Sequence, residues 1–392
     1  MTDTILTINP GSATIKLGVF ALDRGSARVL GRATLDEATS KLRVQAGETR
    51  AEYALSSEAP TPVLIEQALA CLAGHLPMRG LKAIGQRVVH GGDHFAGPAL
   101  INDDVLAEIE ALTSLAPLHQ PKSVALIHAL RQLCPNVAQI ACFDTAFHRT
   151  QPDLVRRFAL PRVLFDAGVK RFGFHGLSYQ FIAAELERRR PDLARSRIVA
   201  AHLGAGASIC ALEGGVSRDT TMGFSTLDGV PMATRCGATD PGVLIHLMRA
   251  RNMSADALEH MLYHESGLLG LSGISGDARV LAESDAASAD EALEIFAFRV
   301  AREAAALAST IGGVDALVFT GGIGEHQPDM RARICARLAW LGITCDADAN
   351  NAGAFDIASP GARVAVLIIP ANEEQAMAEQ CATILGAAGQ WH

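Results

Sequence analysis

Ile5-Leu6-Thr7-Ile8-Asn9-Pro10-Gly11-Ser12-Ala13-Thr14-Ile15-Lys16-Leu17-Gly18-Val19-Phe20 decides the fold once it is set beside a second stretch half a chain later. That second stretch is Ile198-Val199-Ala200-Ala201-His202-Leu203-Gly204-Ala205-Gly206-Ala207-Ser208-Ile209-Cys210-Ala211-Leu212. Each reads as an apolar strand, a tight glycine turn and another apolar strand. Glycine permits the sharp turn, which leaves backbone N–H groups and small hydroxyls available to hold a phosphate. One such hairpin is usually only a turn. Two, one opening each half of the chain, predict two related lobes gripping a polyphosphate between them.

Composition agrees with that division. A chain of 392 residues is long for one core and predicts two domains. Hydrophobic residues make up 49% and aromatics 5%, so the interiors are built mainly from Ala, Leu, Val and Ile. A net charge of −8 argues against general nucleic-acid binding, which needs a basic surface, and leaves nucleotide binding open. The eight cysteines show no C-x-x-C pair and no zinc-site spacing, which predicts reduced, mostly buried thiols in a cytoplasmic protein. Asp3 and the short apolar run before Pro10 make a poor signal peptide. No apolar stretch approaches the ~18 residues of a membrane span, so a soluble protein without a membrane partner is expected.

Strand and helix signals alternate along the whole chain. Strands are predicted at 29–35, 42–46, 83–89 and 137–143, the third running into His90-Gly91-Gly92 and the last ending at Asp144. A helix is expected to open near Thr61-Pro62, with Thr61 as cap, and another at Asn102-Asp103-Asp104, where acids suit the positive helix end. In the second half, the hairpin strands lie at 198–203 and 208–212, and an alanine-rich helix covers 289–311. A buried strand at 315–320 leads into Gly321-Gly322-Ile323-Gly324-Glu325, and a last strand at 364–369 precedes a helix from Asn372. This alternation predicts α/β lobes with a hinge near Asp144.

Several short motifs carry a resemblance to a known family. They are Asn9-Pro10-Gly11-Ser12 through Lys16, Gly85-Gln86-Arg87-Val88-Val89-His90-Gly91-Gly92, Leu115-Ala116-Pro117-Leu118-His119-Gln120-Pro121 and Phe143-Asp144-Thr145-Ala146-Phe147-His148. Phe172-Gly173-Phe174-His175-Gly176, His202-Leu203-Gly204-Ala205-Gly206, Thr234-Arg235-Cys236-Gly237, Gly322-Ile323-Gly324-Glu325 and Pro370-Ala371-Asn372-Glu373-Glu374 continue the series. Nearly end to end, the chain resembles the acetate kinases of the acetate and sugar kinase, Hsp70 and actin superfamily. The resemblance implies a two-lobed, duplicated ribonuclease H-like α/β fold with ATP in the interdomain cleft. It divides the chain into 1–143 plus 374–392, with the first hairpin and the acid-binding residues, and 144–373, with the second hairpin and the adenosine-binding segment. It also implies a homodimer and a Mg²⁺-dependent (or Mn²⁺-dependent), reversible transfer of the ATP γ-phosphoryl group to acetate, giving acetyl phosphate and ADP.

The chemistry explains why such residues are needed. A carboxylate approaching a γ-phosphate is an anion meeting an anion, repelled by ~4 kcal/mol at 4 Å for an effective dielectric near 20. Arg87 and Arg235 are the candidate cations, since a guanidinium grips carboxylate or phosphoryl oxygens through two parallel bonds. By resemblance, His175 meets the charge developing on the transferring group, with His119 beside it, while His90 and His148 read as structural. Asp144 matches an aspartate described as catalytic. Carboxylic acids are already ionised at pH 7, so positioning the metal is the more economical role than general base; by residue type it could also cap a helix. Family carry-over places the metal at Asn9 and Glu373, and Glu373 could equally be a first-turn helix acid.

Nucleotide contacts carried over are Ser12, Thr14, Lys16, His202, Leu203, Gly204, Ala205, Gly206, Asp277, Ala278, Arg279, Gly322, Ile323, Gly324, Glu325 and His326. Val89, Leu118 and Phe174 form an apolar wall sized for a methyl group. Ala205 stands where many family members have asparagine, and Thr226 where proline is frequent. Propionate or another short acid is the alternative acceptor. A sugar kinase would need a base near a hydroxyl, and an actin- or Hsp70-like binding module would have no reason to hold Arg87, His175 and Arg235 together.

Overall fold

A computed structural model of the chain describes residues 2–11, 14–23, 25–56 and 59–387. Ser12, one of the candidate phosphate contacts, lies outside them. The chain separates into two compact units. Unit 1 is Met1–Phe147, Gly176–Phe181 and Asn372–His392; unit 2 is His148–His175 and Ile182–Ala371.

Unit 1 is built on eight strands, β1 (Thr4–Pro10), β2 (Thr14–Asp23), β3 (Ser26–Asp36), β4 (Lys41–Ala46), β5 (Thr49–Ala54), β6 (Leu81–Val88), β7 (Ala99–Leu100) and β8 (Ala138–Phe143), in the spatial order β5-β4-β3-β2-β1-β6-β8-β7. β1 and β2 pair antiparallel as the predicted hairpin, whereas β1, β6 and β8 run parallel. Every residue of β1 is buried, because helices cover both faces of the sheet centre. Leu6, Ile8, Ile15 and Leu17 pack with Leu64, Ile65, Leu126 and Leu130 on one side. On the other, Ile5, Phe20 and Ala83 pack with Met377, Ala378 and Cys381 of the terminal helix Glu373–Ala387. β5 carried no sequence signal, since it is an edge strand with no buried residue.

Unit 2 holds β9 (Arg197–Leu203), β10 (Ala207–Glu213), β11 (Val216–Thr220), β12 (Ala316–Thr320) and β13 (Ala365–Ile368), ordered β11-β10-β9-β12-β13. The second predicted hairpin is β9–β10, paired antiparallel in register from Leu203–Ala207 to Arg197–Glu213. The helix Ala287–Thr310 buries mostly alanines, which let it lie close to its neighbours.

One local expectation is corrected. The helix Thr61–Ala73 opens at Thr61 with Pro60 at the cap position and no side-chain cap. The Thr61 hydroxyl donates instead to Glu37 at 3.1 Å. Asn102 does cap its helix, accepting from Val105 N–H at 2.8 Å. All eight cysteines are free thiols, Cys142, Cys210, Cys335 and Cys381 buried and the rest half-buried. Among the described residues, no helix is long and apolar enough to cross a membrane.

Candidate active site

Three parallel strands of unit 1 end at the same edge of the sheet, where the carboxyl ends of strands in α/β folds gather their functional groups. β1 brings Asn9, β6 brings Arg87, and the residue after β8 is Asp144. The first turn of the terminal helix adds Glu373 and Glu374. Arg87 Nη2 donates to Asp144 Oδ2 at 2.6 Å, and its Nε reaches both Asp144 oxygens at 3.1 Å. Arg87 Nη1 donates to Asn9 Oδ1 at 3.0 Å and lies 3.8 Å from Glu373 Oε2. Asn9 Nδ2 donates to Glu373 and to Glu374, each at 2.8 Å.

Asp144 is therefore no helix cap; it is the buried ionic partner of Arg87. Burial alone would pull the Arg87 guanidinium down, but the attraction of Asp144 and Glu373 carries it above its ordinary value. Burial pushes the Asp144 carboxyl up, with Arg87 pulling it back. Three carboxylates lie around one guanidinium. Such hard oxygen donors fit a small divalent cation that keeps several waters and takes few protein ligands. No tight set of three or more His, Cys, Asp or Glu with metal-holding geometry occurs among the described residues.

Other unit 1 candidates are spread around this edge. Val89 follows β6 and is buried, Leu118 is 48% exposed, and His119 stands half-buried at the start of the helix Gln120–Leu133. Thr14 closes the first glycine turn, its carbonyl accepting from Gly11 N–H at 2.8 Å. Lys16 points outward from β2, opposite Thr34. Lys122, absent from the sequence expectations, donates to the Gly11 carbonyl at 3.0 Å and pairs with Glu37.

In unit 2, the glycine turn between β9 and β10 meets two of the predicted catalytic side chains. A Cβ on Gly206 would lie 3.2 Å from Arg235 Nη2 and 3.3 Å from His175 Nε2. A methyl there would push both side-chain tips aside by a few tenths of an ångström. His175 adopts the left-handed conformation at φ 57°, shares a 2.8 Å hydrogen bond through Nδ1 with the Ser208 hydroxyl, and stacks on His202 at 4.3 Å. Arg235 Nη1 donates to the Thr226 carbonyl at 3.0 Å, so Thr226 anchors the arginine through its backbone. Just before His175, the Phe174 carbonyl accepts from His148 Nε2 at 2.9 Å. Phe174 itself is buried.

The glycine segments of unit 2 lie side by side, because β12 runs parallel to β9 with Thr320 opposite His202. A Cβ on Gly204 would come within 3.8 Å of Gly322 N. After Thr320 the chain turns at Gly321, φ +77°, into the short helix Gly321–His326. The Glu325 carboxylate accepts from Gly321 N–H at 2.9 Å and from Ala371 N–H at 2.8 Å. Asp277 caps the helix Ala278–Ala282 and ion-pairs with Arg279 at 2.6 Å on an exposed surface.

The sequence profile of the Acetokinase family matches residues 4–379. The chain belongs to that family. The acetate kinase of Rhodopseudomonas palustris (strain TIE-1) is 45% identical over 395 residues, covering 95% of this chain and 96% of that one. Among solved structures, a propionate kinase from Francisella tularensis subsp. tularensis SCHU S4 matches with a TM-score of 0.90 and 33% identity, over 96% of this chain and 98% of that one. The Porphyromonas gingivalis acetate kinase matches with a TM-score of 0.88 and 32% identity, over 98% of this chain and all (100%) of its own. The acetokinase fold that the resemblance implied is thus the observed one. Glu374 and Lys122 are the polar groups that residue-by-residue reading missed; the Glu373-Glu374 pair was the available signal for the first, and the second had none.

Proposed function

We propose that this acetokinase transfers the γ-phosphoryl group of ATP reversibly to acetate. An acetate oxygen forms the new bond to the γ-phosphorus as the bond to the β–γ bridging oxygen breaks, and that electron pair leaves with ADP. The convergence of Arg235 and His175 on Gly206 carries this reading, since it sets a guanidinium and an imidazole against a turn shaped to hold phosphate. His175 and Arg235 stabilise charge on the transferring group, and His119 assists them. Arg87 meets the acceptor carboxylate; Asp144 holds its fork in place through a bidentate pair, Nε to Oδ1 and Nη2 to Oδ2. No general base is required, because the acceptor is ionised at pH 7.

Asn9 and Glu373 would hold Mg²⁺, or Mn²⁺ in its place, which when bound neutralises phosphate oxygens and lowers the repulsion met by the acid. Residues 1–143 plus 374–392 carry the acid-binding groups. Residues 144–373 contact the nucleotide through His202 to Gly206, Asp277 to Arg279 and Gly322 to His326, while Thr14 and Lys16 of the first hairpin serve the phosphates. The enzyme works as a cytoplasmic homodimer without nucleic-acid or membrane partners.

Propionate is the second reading, favoured by the name of the Francisella neighbour. One methylene in an apolar pocket is worth only ~1–3 kcal/mol, so acetate is expected first, propionate a usable second and butyrate poor. ADP formation measured with acids from formate to butyrate, with glucose, and with no acceptor tests both readings. A preference for butyrate, or turnover with glucose alone, overturns them.

A further inference from the structure

Arg331, on the helix Pro328–Leu338, is 1% exposed, and no carboxylate pairs with it among the described residues. An isolated buried charge is expensive unless hydrogen bonds compensate it, and those of Arg331 show where it acts. Nη1 donates to the carbonyls of Gly324 and Glu325, each at 2.9 Å, and Nε and Nη2 donate to the Asn350 side chain and carbonyl, each at 2.7 Å. Asn350 is held in turn by its own Nδ2, which donates to the Pro328 carbonyl at 2.8 Å.

Gly324 and Glu325 lie near the carboxyl end of the helix Gly321–His326, six residues that are too short to hold their own shape. A guanidinium there satisfies orphan carbonyls and opposes the negative helix pole. At the other end, the Glu325 carboxylate binds Gly321 N–H. Between these anchors, Gly322 is exposed and a Cβ on it would meet nothing within 4 Å. The segment is thus clamped from behind and open in front.

We propose that Arg331 is a positioning residue for the nucleotide, fixing the backbone of Gly322 to Glu325 in the shape that receives adenosine. This rests on the reading of that segment as a nucleotide contact. The test compares wild type with Arg331→Met, Arg331→Lys and Asn350→Ala, measuring ADP binding by calorimetry, KM for ATP and for acetate, kcat, and the apo melting temperature. Arg331→Met is expected to weaken ADP binding and raise KM for ATP about ten-fold, near 1.4 kcal/mol, with KM for acetate within about two-fold. Arg331→Lys recovers part of the loss. Asn350→Ala gives a smaller shift in the same direction and supplies the test if Arg331→Met does not fold. Unchanged ADP affinity in the folded variants, or equal changes in both KM values, overturns the proposal. A wild type that binds ADP but phosphorylates no acid refutes the acetate reading and leaves the Arg331 comparison intact; a wild type that binds no ADP refutes both.

Discussion

Arg87 and Arg235 look equivalent as residues but stand in different surroundings. Arg87 is tied to Asp144 and faces Glu373, whereas Arg235 is anchored by a backbone carbonyl. Replacing either by alanine should cut turnover by orders of magnitude while ATP binding survives. Arg87→Ala should also lower stability, because it strands the Asp144 and Glu373 carboxylates, and removal of one partner of a buried pair costs about 3–5 kcal/mol. The melting temperature against wild type checks this, and Asp144→Asn added to Arg87→Ala should recover part of the loss. A melting temperature equal to that of wild type would show that the cluster around Arg87 is not electrostatically strained.

At the scale of elements, two glycines at neighbouring strand ends should respond in opposite ways. Gly206 faces movable side-chain tips, whereas Gly321 combines φ +77° with the Leu203 carbonyl oxygen 2.7 Å from where a Cβ would be. Gly206→Ala is therefore expected to fold normally and lose about 10- to 100-fold in kcat, by displacing His175 and Arg235. Gly321→Ala should lower the melting temperature, since backbone strain of this kind costs about 1–3 kcal/mol. Kinetics and thermal unfolding of both variants decide; a melting temperature unchanged in Gly321→Ala would contradict the backbone argument. The same contrast explains what was legible. Periodicity and glycine placement reveal β1, β2, β9 and β10, while the exposed edge strand β5 offers neither.

For the whole molecule, pH is the informative variable. Burial pushes His90 and His148 down to about 4, so both are neutral in the folded chain. Unfolded histidines titrate near ~6.5, so between pH 4 and 6.5 the unfolded chain binds more protons. Their contribution is complete above that window and is lost as pH falls through it. His148→Gln should flatten the dependence by up to about 1.4 kcal/mol per pH unit, read as a smaller drop in melting temperature from pH 6.5 to 4.5 than in wild type. A parallel curve would mean that His148 is protonated in the native state.

The sequence by itself determined the glycine hairpins, the α/β alternation and the motif residues, because each depends on backbone freedom or side-chain period within a few positions. Only the tertiary structure decided which groups act on one another. Asp144 is bound to Arg87, 57 positions away, rather than capping the helix that its residue type allows. Asn9 meets Glu374 across 365 positions. Such partnerships arise from the order in which parallel strands lie together. That order is set by burial of the whole sheet, which no local stretch of sequence records.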